Sequence, residues 1–218
     1  MIYLSLLTPD LRSRQAQRDL AAPYELHRTL LRAYAGSAVG VPRIAVEAAS
    51  VLFRVEDRSD GRPAVLVQSR VAPDWLALKS GYLASPPLAK PVELALRSGQ
   101  LLAFRLRANP TRRLSAGKGH SGKRVGIYKF EEQLLWLARK GEQHGFRLLE
   151  AQVATSSKLK DEQAIRRGDQ RHDLQLLAVR FDGLLRVDDP NRLIEAVETG
   201  IGSAKAFGFG LLSLARPG

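Results

Sequence analysis

The chain has 218 residues, of which 44% are hydrophobic and 26% are charged, and this composition is typical of a folded globular protein. Its 34 Lys and Arg residues outnumber its 22 Asp and Glu residues, and the net charge of +12 favours a polyanionic partner such as nucleic acid. The absence of Cys excludes disulfides, zinc–thiolate sites and thiol nucleophiles. No apolar run approaches the ~18 residues that a membrane span needs, so we expect a cytoplasmic protein without a membrane partner.

The first half of the chain predicts an apolar strand, a helical region and two further strands. The helical region is interrupted at Pro23, which suits the first turn of a new helix running to about residue 35. The segments that predict strands are residues 2–7, 50–54 and 64–69. After a short helix around residues 74–79, the proline-rich segment Ser85–Pro91 breaks regular structure and predicts an interdomain linker.

The second half predicts the element order strand, helix, strand, strand, helix, strand, which is the ferredoxin-like plan. The predicted strands are residues 101–107, 146–154, 174–187 and 210–214, and the predicted helices are residues 130–143 and 190–199. The first half fits this plan in part, because its final strand is hard to place. We therefore predict an α+β fold of two tandem ferredoxin-like (RRM-like) βαββαβ domains, over residues 1–90 and 97–218.

Positive charge is concentrated in the second half of the chain. Residues 97–129 contain nine basic residues and no acidic residue, whereas a solvated surface normally mixes both signs. Within this window, the loop Leu114–Arg124 combines glycines, which let the backbone approach phosphates, with cations that release counterions from RNA. A basic loop suits the deep major groove of an RNA stem. The loop approximates a P-loop, but Arg124 occupies the Ser/Thr position that would bind Mg²⁺, which argues against an NTPase.

We expect eleven cations to contact RNA. They lie in this window, on the Pro23 helix, in the polar loop of residues 155–171 and in the glycine-rich segment near the C-terminus. They are Arg28, Arg105, Arg107, Arg112, Arg113, Lys118, Lys123, Arg124, Lys158, Lys160 and Lys205.

The four histidines, His27, His120, His144 and His172, lack metal-ligand spacing, so we predict no metal site and no cofactor. His27 follows Tyr24 by one turn of the predicted helix. A metal-independent RNA-cutting site needs a group that titrates near neutrality, and His27 can take a proton from a ribose 2′-OH or give one to a leaving 5′-oxygen. Tyr24 can orient the nucleophile, share the proton transfer or only pack, and a structural role for His27 is the alternative.

Three segments, in this order along the chain, resemble the CasE family of CRISPR repeat endoribonucleases. They are Asp19–Arg28, Phe104–Pro110 and Gly200–Ala215. The resemblance implies two ferredoxin-like domains and binding of a CRISPR repeat stem-loop. It also implies a metal-independent cut at the 3′ base of the stem by 2′-OH attack, which leaves a 2′,3′-cyclic phosphate and a 5′-OH.

The same resemblance implies that His27 and Tyr24 are the catalytic pair. It further implies that the enzyme retains its product and joins the other subunits of a type I-E Cascade complex. Outside that complex we expect a monomer.

A non-catalytic RNA-hairpin-binding subunit of a ribonucleoprotein is the main alternative. Such modules stack bases on exposed aromatic residues of central strands, but aromatic residues are only 6% of this chain and the predicted strand of residues 101–107 offers Phe104 alone. A structural Cascade-type subunit that has lost cleavage is a third possibility, against which Tyr24 and His27 argue.

Overall fold

The structure is a computed structural model that describes residues 1–34, 48–58, 60–114, 124–161, 166–167, 170–171 and 174–218, with side chains described outside 159–175. These residues contain two four-stranded antiparallel sheets, one in each half of the chain, together with helices. The predicted α+β class is therefore confirmed.

The first sheet has a buried face that packs against two short helices. Its strands are β1 (Ile2–Leu7), β2 (Leu52–Asp57), β3 (Pro63–Ser69) and β4 (Leu88–Val92), in the order β2-β3-β1-β4. The helices are α1 (Arg14–Ala21) and α2 (Pro23–Leu31). Leu26 and Leu30 of α2 pack with Leu7, Phe53 and Val65 of the sheet in one buried cluster.

The proline-rich segment that predicted a linker instead contains β4, and this prediction was wrong. β4 pairs antiparallel with β1 over the register Ile2↔Val92 to Leu6↔Leu88. It lies at the edge of the sheet, where a proline that lacks an N–H is tolerated. Its residues are largely exposed, so the apolar alternation that identifies a half-buried strand is missing. The helix predicted around residues 74–79 is a single 3₁₀ turn, Trp75–Ala77.

The second sheet packs against two longer helices. Its strands are β5 (Leu101–Ala108), β8 (Phe146–Asp161), β11 (Leu174–Val187) and β12 (Leu212–Ala215), in the order β12-β5-β11-β8, and its helices are α3 (Phe130–Gln143) and α4 (Pro190–Thr199). Two hairpins extend from it: β6 (Thr111–Arg113) with β7 (Arg124–Gly126), and β9 (Arg166–Arg167) with β10 (Gln170–Arg171). Part of the predicted polar loop of residues 155–171 is therefore strand.

The two halves are joined along β2, which is an edge strand of the first sheet. Arg54 of β2 is 3% exposed and its guanidinium donates to the carbonyl of Leu211 at 3.2 Å and to Ser213 Oγ at 2.9 Å. Glu56 accepts from the same guanidinium at 2.6 Å. On β3, Gln68 Nε2 donates to the carbonyl of Val197 at 2.5 Å. These buried polar contacts fix how the second half sits on the first.

Replacing Arg54 with Met should lower the free energy of unfolding by about 3 kcal/mol, because the carbonyl of Leu211 and the hydroxyl of Ser213 lose a buried donor. The exposed ion pair of Arg58 with Asp60 provides the control, and Arg58→Ala should cost less than about 1 kcal/mol. Urea unfolding of both variants measures the two values. Equal values would show that Arg54 does not hold the halves together.

Candidate active site

Helix α2 presents Tyr24 and His27 one turn apart. Pro23 occupies the first turn of this helix, where its missing N–H costs no hydrogen bond. The helix is held against α1 by Asp19, a fully buried carboxylate that accepts from Thr29 Oγ1 at 2.7 Å and pairs with Arg18 at 3.2 Å. The position of the Tyr24–His27 face is therefore set by a buried polar contact as well as by apolar packing.

Two aromatic residues from distant parts of the chain stack on this pair. The imidazole of His27 stacks on Phe53 of β2, with ring centroids 6.0 Å apart and planes inclined by 27°. Tyr24 stacks on Phe207, which lies in the glycine-rich segment of the second half, with centroids 5.6 Å apart and planes inclined by 29°. The site is thus formed between the two halves of the chain.

The glycine-rich segment approaches this pair closely because Gly208 has no side chain. Gly208 adopts φ +78°, and a Cβ atom there would lie 3.1 Å from Phe53 Cε2 and 3.6 Å from Arg107 Nη1. The guanidinium carbon of Arg107 in turn lies 5.1 Å from the ring centroid of Phe209. Gly208 is therefore close to both the Phe53 ring, on which His27 stacks, and the positive charge of Arg107.

Burial sets the protonation of these groups. It lowers the pKa of His27 from its ordinary value, so the imidazole is neutral at pH 7 and can accept a proton. Burial, and then the nearby charge of Arg54, lower the pKa of Arg107, but a guanidinium stays charged at neutral pH in spite of such a shift. The site therefore combines a neutral base with a fixed cation.

A basic cleft of about 610 Å³ lies on the second half, and the glycine-rich segment forms part of its wall. The basic side chains that line it are Arg113, Arg124, Lys140, His144 and Lys205. Lys205 donates from Nζ to the carbonyl of Thr199 at 2.5 Å, and burial lowers its pKa. Lys205 and Phe207 belong to the same 3₁₀ turn, Lys205–Phe207, so the turn that lines the cleft also contacts Tyr24.

Some cations that were predicted to bind RNA have acidic or aromatic partners within the protein. Arg105 pairs with Asp182 at 2.7 Å and with Glu56 of the first half at 3.4 Å. Arg112 pairs with Glu132 at 2.9 Å, and Arg28 pairs with Glu25 at 3.1 Å. Lys158 Nζ lies 5.7 Å from the ring centroid of Tyr128. Arg105 consequently has a visible role in joining the halves.

Other predicted residues are located only in part. Lys118 and Lys123 lie outside the described residues, together with most of the basic loop. His120 and His172 also lie outside them. Lys160 is described only as a backbone position of β8. Arg113 and Arg124 are opposite each other in the hairpin of β6 and β7.

Sequence reasoning gave no site role to several residues that the structure brings to the site and cleft. Phe53 and Phe207 carry the stacking contacts, and Lys140 and His144 line the cleft. Phe207 lies within the glycine-rich segment, so its aromatic side chain between glycines was an available signal. Phe53 gave none, because a Phe in an apolar strand predicts core packing.

No helix in the described part of the chain is long and apolar enough to span a membrane. Among the residues whose structure is described, no three or more His, Cys, Asp or Glu side chains are grouped so that they could hold a metal ion.

Comparison with known proteins identifies the family to which this fold and site belong. A family model described as CRISPR associated protein matches residues 2–216. The chain is 41% identical to the CRISPR-associated endoribonuclease Cse3 of Thermus thermophilus, over 98% of this chain and 100% of that protein. It is 33% identical to the CRISPR system Cascade subunit CasE of Escherichia coli, over 93% of this chain and 95% of that protein.

Solved structures give the same result. The structure of CRISPR endoribonuclease Cse3 bound to a 19-nucleotide RNA superposes with a TM-score of 0.84 at 41% identity, covering 99% of each chain. The chain, which carries His27 and Tyr24 one turn apart on α2, thus matches a class of RNA-cutting proteins over its full length. The chain belongs to the Cse3/CasE (Cas6e) family of CRISPR-associated endoribonucleases, the type I-E Cascade subunits.

Replacing Gly208 with Ala should displace Phe53 and with it His27, because the new Cβ would contact the Phe53 ring. Gly99 is the matched control: its φ is +80°, close to that of Gly208, but nothing lies within 4 Å of a Cβ added there. Both variants pay the same backbone strain of about 1 kcal/mol, so only Gly208→Ala should also perturb the site. The change in the NMR chemical shifts of the His27 imidazole, relative to the wild-type protein, measures the perturbation in each variant. Equal shifts in both variants would contradict the contact.

Proposed function

We propose that this chain is a metal-independent endoribonuclease that binds CRISPR repeat stem-loops in precursor CRISPR RNA and cuts at the 3′ base of the stem. The observation that carries the proposal is the neutral imidazole of His27, stacked on Phe53 beside the cation-bearing glycine-rich segment. Membership of the Cse3/CasE family supports RNA as the substrate, because a Cse3 structure contains a bound 19-nucleotide RNA.

In the proposed reaction, neutral His27 takes the proton from the ribose 2′-OH next to the scissile phosphate. The 2′-oxygen attacks phosphorus, the bond from phosphorus to the 5′-oxygen breaks, and the leaving oxygen takes a proton from water, while His27 releases its proton to solvent. The products are a 2′,3′-cyclic phosphate and a 5′-OH. Every bond change is completed by proton transfers, so the reaction requires no metal ion, and the lowered pKa of His27 favours the general-base role at neutral pH.

Tyr24 and Arg107 are proposed to assist His27. Tyr24 is on the same face of α2 and is oriented by its stack on Phe207, and in the proposed reaction its hydroxyl orients the nucleophile or shares the proton transfer. Arg107 is held by Phe209 next to Gly208, and its charge would stabilise the extra negative charge that develops on the phosphate oxygens.

The basic cleft is proposed to hold the RNA stem. Arg113, Arg124, Lys140 and Lys205 line it, and a groove with several cations binds phosphates by releasing counterions. Because the Lys205–Phe207 turn borders both the cleft and Tyr24, RNA in the cleft would reach α2. Lys118 and Lys123, which lie between β6 and β7 in sequence, would add contacts to the stem.

After cutting, the protein is proposed to keep the mature guide RNA and to join the other Cascade subunits. CasE, a relative over nearly the whole chain, is a Cascade subunit, which supports this assignment. We propose that the protein acts in the cytoplasm and is a monomer before assembly.

Each half is proposed to be a ferredoxin-like domain. In each sheet, the strands of that half lie side by side in the order fourth, first, third, second, and neighbouring strands are antiparallel. The βαββαβ plan has this order and this direction of pairing. In the first half, the 3₁₀ turn Trp75–Ala77 stands where the plan has its second helix.

Cleavage of a labelled repeat RNA from the organism's own genome should proceed in excess EDTA, because 2′-OH attack assisted by His27 needs no metal. The 5′ fragment should end in a cyclic phosphate and the 3′ fragment in a 5′-OH, as judged by mass spectrometry. Loss of cutting in EDTA that Mg²⁺ restores would contradict the mechanism.

Replacing His27 with Ala should lower the single-turnover cleavage rate by about 10²–10⁴, the usual contribution of a positioned acid or base. Binding should change little, because a neutral imidazole adds little to an affinity dominated by Lys and Arg contacts. Filter binding and cleavage on one preparation separate the two effects. A variant that cuts at the wild-type rate would make His27 structural, and a wild-type protein that binds but never cuts would favour the non-catalytic subunit.

A further inference from the structure

Two exposed aromatic side chains lie outside the site and cleft described above. Tyr128 and Phe130, between β7 and the start of α3, are 61% and 48% exposed. Exposed aromatic rings are unusual in a chain with only 6% aromatic residues. Large rings that remain in water commonly mark a surface that contacts a partner.

The backbone that carries Tyr128 is held rigidly. Gln133 of α3 is 1% exposed, and its Nε2 donates to the carbonyl of Ile127 at 2.9 Å and reaches that of Tyr128 at 3.5 Å. The ring itself lies against the backbone of Gly126, where an added Cβ would be 3.4 Å from two of its atoms. Because the ring is already oriented, a partner that stacks on it would lose little entropy in ordering it.

The surroundings of the ring are cationic. Lys158 lies over the ring, and Lys129, next to Tyr128 in sequence, has a side chain that is 79% exposed and whose Nζ lies 4.0 Å from Glu132 Oε1. Of the two carboxylates that follow, Glu132 is already paired with Arg112 at 2.9 Å. An exposed ring beside lysines offers a nucleobase a surface for stacking and offers its phosphate a counter-charge.

We propose that Tyr128 is a stacking platform for an unpaired base of the bound RNA. The base takes the place of Lys158 over the ring, and the displaced Lys158 contacts the adjoining phosphate. The inference rests on the proposed function and adds to it a binding contact outside the basic cleft. This contact would distinguish RNAs by their unpaired nucleotides, since bases inside a stem are already stacked on each other.

The test uses the His27→Ala protein, so that RNA is bound and not cut, and the repeat hairpin with its unpaired nucleotides. Adding Tyr128→Ala should weaken binding about tenfold, the usual effect of losing one base–aromatic stack. Tyr128→Phe keeps the ring and should bind within about twofold of the parent. Leu135→Ala is the matched control, because Leu135 is 63% exposed on α3 but is not aromatic. Fluorescence anisotropy measures the dissociation constants, and equal melting temperatures establish that each variant is folded.

A series of RNAs, each with an abasic site at one unpaired position, identifies the base that stacks on Tyr128. When the abasic site replaces that base, Tyr128→Ala and the parent should bind the RNA with equal affinity. Unchanged affinity in Tyr128→Ala, or an equal loss with every abasic RNA, would overturn the platform. Unchanged RNA affinity with weaker assembly with the other Cascade subunits would assign the ring to a protein partner, which also overturns it. A parent protein that fails to bind the hairpin would instead refute the proposed function.

Discussion

The structure depends on the contact that the second half makes with β2, the edge strand of the first sheet. An edge strand normally faces water, yet Leu52, Phe53 and Arg54 are at most 3% exposed. Gly200 approaches Leu52 so closely that an added Cβ would lie 2.9 Å from the Leu52 methyl groups. Gly208 approaches Phe53 in the same way, and an added Cβ would lie 3.1 Å from the Phe53 ring. Both glycines have positive φ, which a residue with a side chain adopts only under strain. The glycine-rich segment is therefore required by close packing against a buried edge.

The chemistry of the site follows from this contact. Phe53 is buried between the two halves and supports the His27 imidazole, and the same segment brings Phe207 to Tyr24. Burial of His27, which stacks on Phe53, lowers its pKa, so a neutral base results from packing. Separate halves would keep α2 but would lack the Phe207 stack and Arg107. The proposed activity therefore needs both halves in their observed arrangement.

Much of the fold was predictable because it depends on local patterns. The bounds of α3 and α4 and the start of α2 at Pro23 match the prediction, since helix periodicity and proline position are local signals. β4 was missed because its identity depends on pairing with β1, more than eighty residues away in sequence, and its exposed edge position leaves no alternation. Arg105 was predicted to bind RNA because no acidic residue lies near it in sequence, but Glu56 and Asp182 reach it through the fold. Charge counting cannot identify such partners.

The central claim is that burial of His27 against Phe53 makes it a neutral base. The pH dependence of single-turnover cleavage tests it most directly, measured at protein concentrations below saturation so that the profile reports the free protein. Because burial lowers the pKa of His27 from the ordinary histidine value of 6.5, the base form is lost only as the pH falls below that value. The rate should therefore be constant above this pH and should fall about tenfold per unit below the inflection. A rate that keeps rising through pH 7 to 8, with its inflection above 6.5, would contradict the account.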